Sequence, residues 1–145
     1  MERFETSGPY GSWTARGEIA FQPDLAVTQY SFDLQGSADA SPWFRMAGLA
    51  GSGSFKVNVR VANELASDNK PKRIPTPAVE GKVSWKGLRL NGFDIYTGDA
   101  DVVYASDTVR YKNGVITTPS GAHLEASGVY ELTGKKPYKN VAKIR

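Results

Sequence analysis

Apolar and polar residues alternate with period two along most of this chain. The clearest run sets Phe55, Val57, Val59 and Val61 against Ser54, Lys56, Asn58 and Arg60, the pattern of a strand with one apolar and one wet face. Residues 122–132 repeat it, with Ala122, Leu124, Ala126, Gly128, Tyr130 and Leu132 on one side and His123, Glu125, Ser127 and Glu131 on the other. Between these runs Val83 and Trp85 alternate, then Leu88 and Leu90, then Phe93 and Ile95. The phase slips at Lys86-Gly87 and again at Asn91-Gly92, and each slip predicts a turn or a bulge.

Shorter strands are predicted at 13–21, 25–34, 100–105, 107–111 and 114–118. Turn residues separate them at Gln22-Pro23-Asp24, Ser106-Asp107, Asn113-Gly114 and Pro119-Ser120-Gly121. Asn113-Gly114 has the composition of a two-residue hairpin loop. One segment, residues 40–48, predicts a helix of a turn or two, with Ser41 as cap, Pro42 at the first helical position and Gly48 as stop. Its Trp43 and Phe44 are expected to plug one end of the sheet.

The expected fold is all-β: an elongated, partly open antiparallel meander with one short helix, the alternative being a β-sandwich. Small residues on the apolar side (Ala100, Ala122, Ala126, Gly128) suit a thin sheet better than a dense two-sheet core. Residues 1–132 form a single domain on this reading. Its strand groups, 1–62 and 78–132, are joined by a Pro-rich linker at 63–77 that has no sustained period.

Composition narrows the function classes. With 145 residues and 40% hydrophobic content the chain can bury a core, and with no cysteine it has neither a disulfide framework nor a thiolate zinc site. No apolar run approaches the roughly 20 residues that cross a bilayer, and no leader is legible. The net charge of +3 comes from the end of the sequence: five of the 18 basic residues, and none of the 15 acidic ones, fall in 133–145. That stretch is expected to be a solvated basic tail, and nucleic acid is not an expected partner.

Residues 79–132 open with Gly81-x-Val83-x-Trp85-x-x-Leu88-x-Leu90-x-Gly92 and continue through Asp99-Ala100-Asp101 and Asn113-Gly114. They close on Gly121-x-x-Leu124-x-x-x-Gly128-x-Tyr130. This order of features resembles one repeat of the AsmA/TamB-type envelope proteins, a family of translocation and lipid-transport modules. Residues 33–61 are similar to the helix-and-strand linker of such repeats. The resemblance implies a concave apolar face that holds lipid acyl chains, a place in the cell envelope or periplasm, and a role in intermembrane lipid transport or envelope assembly. Phospholipid or another amphiphile would be the ligand, and other envelope proteins, or further copies pairing edge to edge, the partners. The lining would be Phe55, Val57, Val59, Val61, Val83, Trp85, Leu88, Leu90, Leu124 and Tyr130.

Catalytic and metal-binding patterns are not legible. His123 is the single histidine and shares the polar side of its strand with Glu125, so a zinc site would have to be built from carboxylates. Ser120 or Ser127 with His123 lacks a nucleophile elbow. Asp99, Asp101 and Asp107 do not follow the spacing of a calcium loop, and no phosphate-binding glycine loop precedes a helix. No catalytic residues and no cofactor are expected, and the chain is read as a binding module. The rival reading uses Trp13, Trp43, Trp85 and the tyrosines as stacking platforms for a glycan or single-stranded nucleic acid, with help from the basic tail.

Overall fold

The computed structural model describes residues 2–21, 27–63, 77–131 and 139–144. Among these residues nine strands lie in one sheet in their order along the chain, each antiparallel to the next. They are β1 (Glu2–Gly8), β2 (Gly11–Phe21), β3 (Val27–Asp39), β4 (Gly51–Asn63), β5 (Pro77–Leu90), β6 (Phe93–Ala105), β7 (Thr108–Thr117), β8 (His123–Glu131) and β9 (Lys139–Ile144). A helix, α1 (Ala40–Met46), connects β3 to β4 and packs on β4. The fold is the open meander, and the sandwich alternative is excluded, because no second sheet faces the first among the described residues.

An open layer leaves much surface in contact with solvent. The accessible area is 10331 Å², against about 7,300 Å² for a compact protein of this size. Among the described residues no large side chain is fully buried, and the buried apolar residues are Ala38, Ala40, Val59 and Ala100.

Turn chemistry explains both the agreements with the sequence reading and the departures from it. Asn91 (φ 48) and Gly92 (φ 85) are both left-handed and join β5 to β6; Ser106 (φ 49) and Asp107 (φ 57) do the same between β6 and β7. Two successive positive φ angles are what a tight hairpin of matching twist requires. At Asn113-Gly114 only Asn113 is left-handed (φ 52), so the chain does not reverse. The predicted hairpin is instead a bulge inside β7, where the register against β6 slips between Asp99 and Asp101, and the strands expected at 107–111 and 114–118 are one. The slip at Lys86-Gly87 is likewise a bulge, with Trp85 opposite Gly98 and Leu88 opposite Tyr96.

Two edge elements were not expected. β1 pairs with β2 through a two-residue loop at Pro9-Tyr10, in a stretch whose mixture of charge, Ser and Gly hides the alternation. β9 pairs with β8 over residues 139–144, so part of the expected basic tail is an edge strand, a position where lysines are common. The helix is capped by Asp39, whose carboxylate accepts from the Ser41 amide at 3.0 Å. Ser41 and Pro42 are therefore inside the helix, at its second and third positions. It stops at Gly48, whose amide donates to the Arg45 carbonyl (3.0 Å), followed by Leu49 to Phe44 (2.8 Å). Most of the Pro-rich linker, residues 64–76, lies outside the described residues; on either side of it Asn63 pairs with Pro77, which joins the two strand groups into one sheet.

Glycine permits a close backbone approach inside β5. Gly81 sits mid-strand at φ +151, and a Cβ there would fall 2.2 Å from the Asn58 carbonyl oxygen and 2.6 Å from the Val59 Cα. Both neighbours are backbone and cannot turn aside. We expect Gly81→Ala to lower stability by about 2–3 kcal/mol. Gly121→Ala, at φ +85 in open space, should cost about 1 kcal/mol. Urea unfolding of the pair checks this, and equal losses would show that φ alone sets the cost.

Candidate functional site: one apolar sheet face

Because directly paired residues share a face, the registers show which side chains stand together. Across the middle of the sheet run Ala15, Leu34, Val59, Gly81 and Val102 in one row. A second row is Gly36, Val57, Val83 and Ala100, and a third is Ala38, Phe55, Trp85, Gly98, Ile116 and Leu124. A fourth holds Phe32, Val61, Val79, Tyr104, Val109 and Tyr130. Beyond the bulge Leu88 pairs with Tyr96 and Leu90 with Phe93.

All ten side chains singled out in the sequence thus fall on one face. Val59 is 6% exposed, and the other nine are half-buried. The sequence reading missed Phe4, Ile19, Phe32, Leu34, Val79, Val102, Tyr104, Val109, Tyr111 and Ile116 on the same face. The signal that finds them is the same period-two alternation, carried into strands where Gly, Ala or Tyr replaces an aliphatic residue.

Large rings lie over glycines of the next strand and fill what would be gaps. A Cβ on Gly36 would fall 2.2 Å from the Trp13 ring, one on Gly17 2.4 Å from Phe32, and one on Gly98 2.7 Å from Trp85. In each case the glycine is the direct cross-strand partner of the ring. This pairing keeps the face continuous without raising it.

One end of the face is closed by aromatics. Trp43 of α1 meets Tyr10, Trp13 and Phe55 edge-on, at ring separations of 5.7, 6.0 and 6.2 Å. The indole nitrogens of Trp13 and Trp43 both donate to the Tyr10 carbonyl, at 2.8 and 3.1 Å. Phe44 lies against Gly51 at the start of β4. Both helix aromatics therefore contact the end of the sheet where β4 begins.

Toward β8 the face carries two hydroxyls. Tyr111 and Tyr130 stack with ring centroids 5.9 Å apart and planes at 23°. Burial, then the neighbouring Tyr130 phenol and the hydrogen bond between them, push the Tyr111 phenol above the ordinary tyrosine value of 10.0. The folded state holds this proton more tightly than the unfolded chain does. Its contribution to stability is therefore complete below about pH 10 and is lost as the pH rises through the raised folded value. Absorbance titration of the tyrosines should show a late component that moves to lower pH in Tyr130→Phe, and an unmoved component would contradict the coupling.

The opposite face is polar and of mixed sign. Lys82 pairs with Asp99 at 3.1 Å, Arg89 with Asp94 at 3.5 Å, and Asn113 donates to Asp101 at 2.7 Å. Asp107 accepts from the Tyr104 hydroxyl at 3.3 Å in its turn. Each of the three aspartates weighed as chemistry has its own partner. His123 is exposed, with Nδ1 3.2 Å from the Thr117 hydroxyl, and no three of His, Asp and Glu gather among the described residues. Comparison of the chain with protein-family models, with curated proteins and with solved structures finds no match. No helix among the described residues is long and apolar enough to cross a membrane.

Proposed function

We propose that this chain is a non-catalytic binding module whose apolar face holds the acyl part of a phospholipid or a similar amphiphile. The observation that carries the reading is the continuous face of valines, rings and small residues, which among the described residues has no second sheet over it and is met by α1 at one end alone. Apolar area left in water is unfavourable by about 25 cal/mol per Å², and a patch several strands wide marks a surface that acts by being covered.

The dimensions suit acyl chains. The stripe from Phe55 to Val61 is roughly 20 Å long at the rise of a strand, and one bilayer leaflet contributes roughly 15 Å of hydrocarbon. Methylene groups laid along the stripe would gain about 0.8 kcal/mol each, with no directional contact demanded of the protein. The similarity of residues 79–132 to AsmA/TamB-type repeats supports the same reading and extends it to lipid transport or assembly in a cell envelope. Among the described residues the mixed charge of the polar face supplies no cationic track for nucleic acid.

Native mass spectrometry of the purified chain, followed by titration with a fluorescent phospholipid, tests the proposal. Bound lipid or saturable uptake is expected. Lipid-free protein that takes up no probe would refute it.

A further inference from the structure

We infer that β1 is a self-complementary edge, and that two copies of this chain join through it antiparallel, about a two-fold axis at Phe4, into one continuous sheet. All seven residues of β1 are exposed, and on its outer side no strand pairs with it among the described residues. Gly8 and Gly11 flank the two-residue loop, so they form a hydrogen-bonded pair. Alternation then turns the amides of Glu2, Phe4 and Thr6 toward β2 and those of Arg3, Glu5 and Ser7 outward. Such an edge is a template for another strand.

The sequence of β1 selects both the partner and the register. With Phe4 opposite Phe4 of the second copy, Arg3 stands opposite Glu5 and Glu5 opposite Arg3, each a hydrogen-bonded pair with outward amides. Glu2 falls opposite Thr6. The ring of Phe4, 66% exposed on the apolar face, gains its twin at the close spacing of a non-hydrogen-bonded pair. A shift of two residues in either direction sets Arg3 against Arg3 or Glu5 against Glu5. A shift of one sets Phe4 against a charged residue and mismatches the faces.

Arg3 also has a reason to pair outward. Its direct neighbour on β2 is Arg16, a like charge that disfavours the pair, and its opposite charge comes from Glu5 of its own strand. In the joined sheet Glu5 of the second copy takes the position directly across from it. The other edge strand, Lys139–Ile144, contains lysines and no acid in its sequence, so it offers no equivalent match. A two-fold axis normal to the sheet keeps both apolar faces on the same side. The dimer therefore presents one face of eighteen strands, whatever covers that face.

Charge exchange tests this with the full chain, in analytical ultracentrifugation over a concentration series. The wild type should dimerise. Arg3→Glu alone and Glu5→Arg alone each put like charges together twice and should weaken dimerisation at least tenfold. A mixture of the two variants restores both opposite-charge pairs, so it should form heterodimers, and the double exchange Arg3→Glu/Glu5→Arg should dimerise again. Circular dichroism of each variant confirms that the sheet is intact, as expected for substitutions at exposed edge positions. A wild type that stays monomeric at high micromolar concentration overturns the inference. So do single variants that dimerise like the wild type, or a mixture that associates no better than its parts.

Discussion

Val59→Asp is expected to destabilise this protein severely. Val59 is one of the few buried apolar residues, 6% exposed in the middle of an open sheet. Leu34 and Gly81 flank it across the strands, and it leans over Gly81, with Cγ1 3.0 Å from where a Cβ would be. A carboxylate there has no partner on an apolar face and cannot reach the polar side of the sheet. The cost is about 3–4 kcal/mol, a large share of the 5–15 kcal/mol typical of a domain. The melting temperature should fall by roughly 10–15 °C. Asn58→Asp brings the same charge to the preceding residue, exposed on the polar face and opposite Lys82. Its effect should stay within about 0.5 kcal/mol. Thermal melts of the two variants separate burial from charge, and similar losses would show that the apolar face is not where the fold is held.

Openness of the sheet and burial of Val59 are compatible because burial here comes from neighbours within the face. To be shielded, a valine needs a sizeable side chain directly across the strands as well as residues two places away along its own strand, and on β4 Val59, opposite Leu34, has both. This separates residues that hold the fold from residues on offer to a ligand, a distinction that periodicity cannot make. Alternation placed Phe55, Val57, Val59, Val61, Val83 and Trp85 on one face, because side-chain direction in a strand depends only on parity. How far each is covered depends on which side chains the register sets beside it: Val59 has Leu34 directly opposite, whereas Val57, on the same strand, has Gly36.

Other features were hidden for local reasons. The alternation of β1 is diluted by Glu2 and Thr6 on the apolar face. Asn113-Gly114 and Ser106-Asp107 both have turn chemistry, yet only the second has two consecutive left-handed residues. Asn tolerates the left-handed region in a bulge as well as in a turn, so the dipeptide alone cannot distinguish them. The rings over Gly17, Gly36 and Gly98 depend on register, which a single sequence does not display. Once the register is known, those glycines read as seats for rings on the next strand.

Val57→Glu and Val83→Glu are expected to abolish amphiphile uptake while leaving the sheet folded. The two valines face each other directly across β4 and β5 and are half-buried, unlike Val59. A glutamate at either place can extend its carboxylate into the water above an empty face, so the free protein tolerates it. An acyl chain laid on the face would have to displace that water, and an ionised carboxylate covered by hydrocarbon costs several kcal/mol. Affinity for a fluorescent phospholipid should therefore fall at least tenfold at pH 7. Covering the carboxylate raises its pKa, so binding favours the protonated form, and uptake should recover in part as the pH falls below about 5. Lys56→Glu and Ser84→Glu introduce the same group at the adjacent pair on the polar face and should leave uptake unchanged at both pH values. If all four variants bind alike, the apolar face is not where the amphiphile sits; if the two valine variants lose uptake but lowering the pH restores none of it, the carboxylate acts by disturbing the sheet.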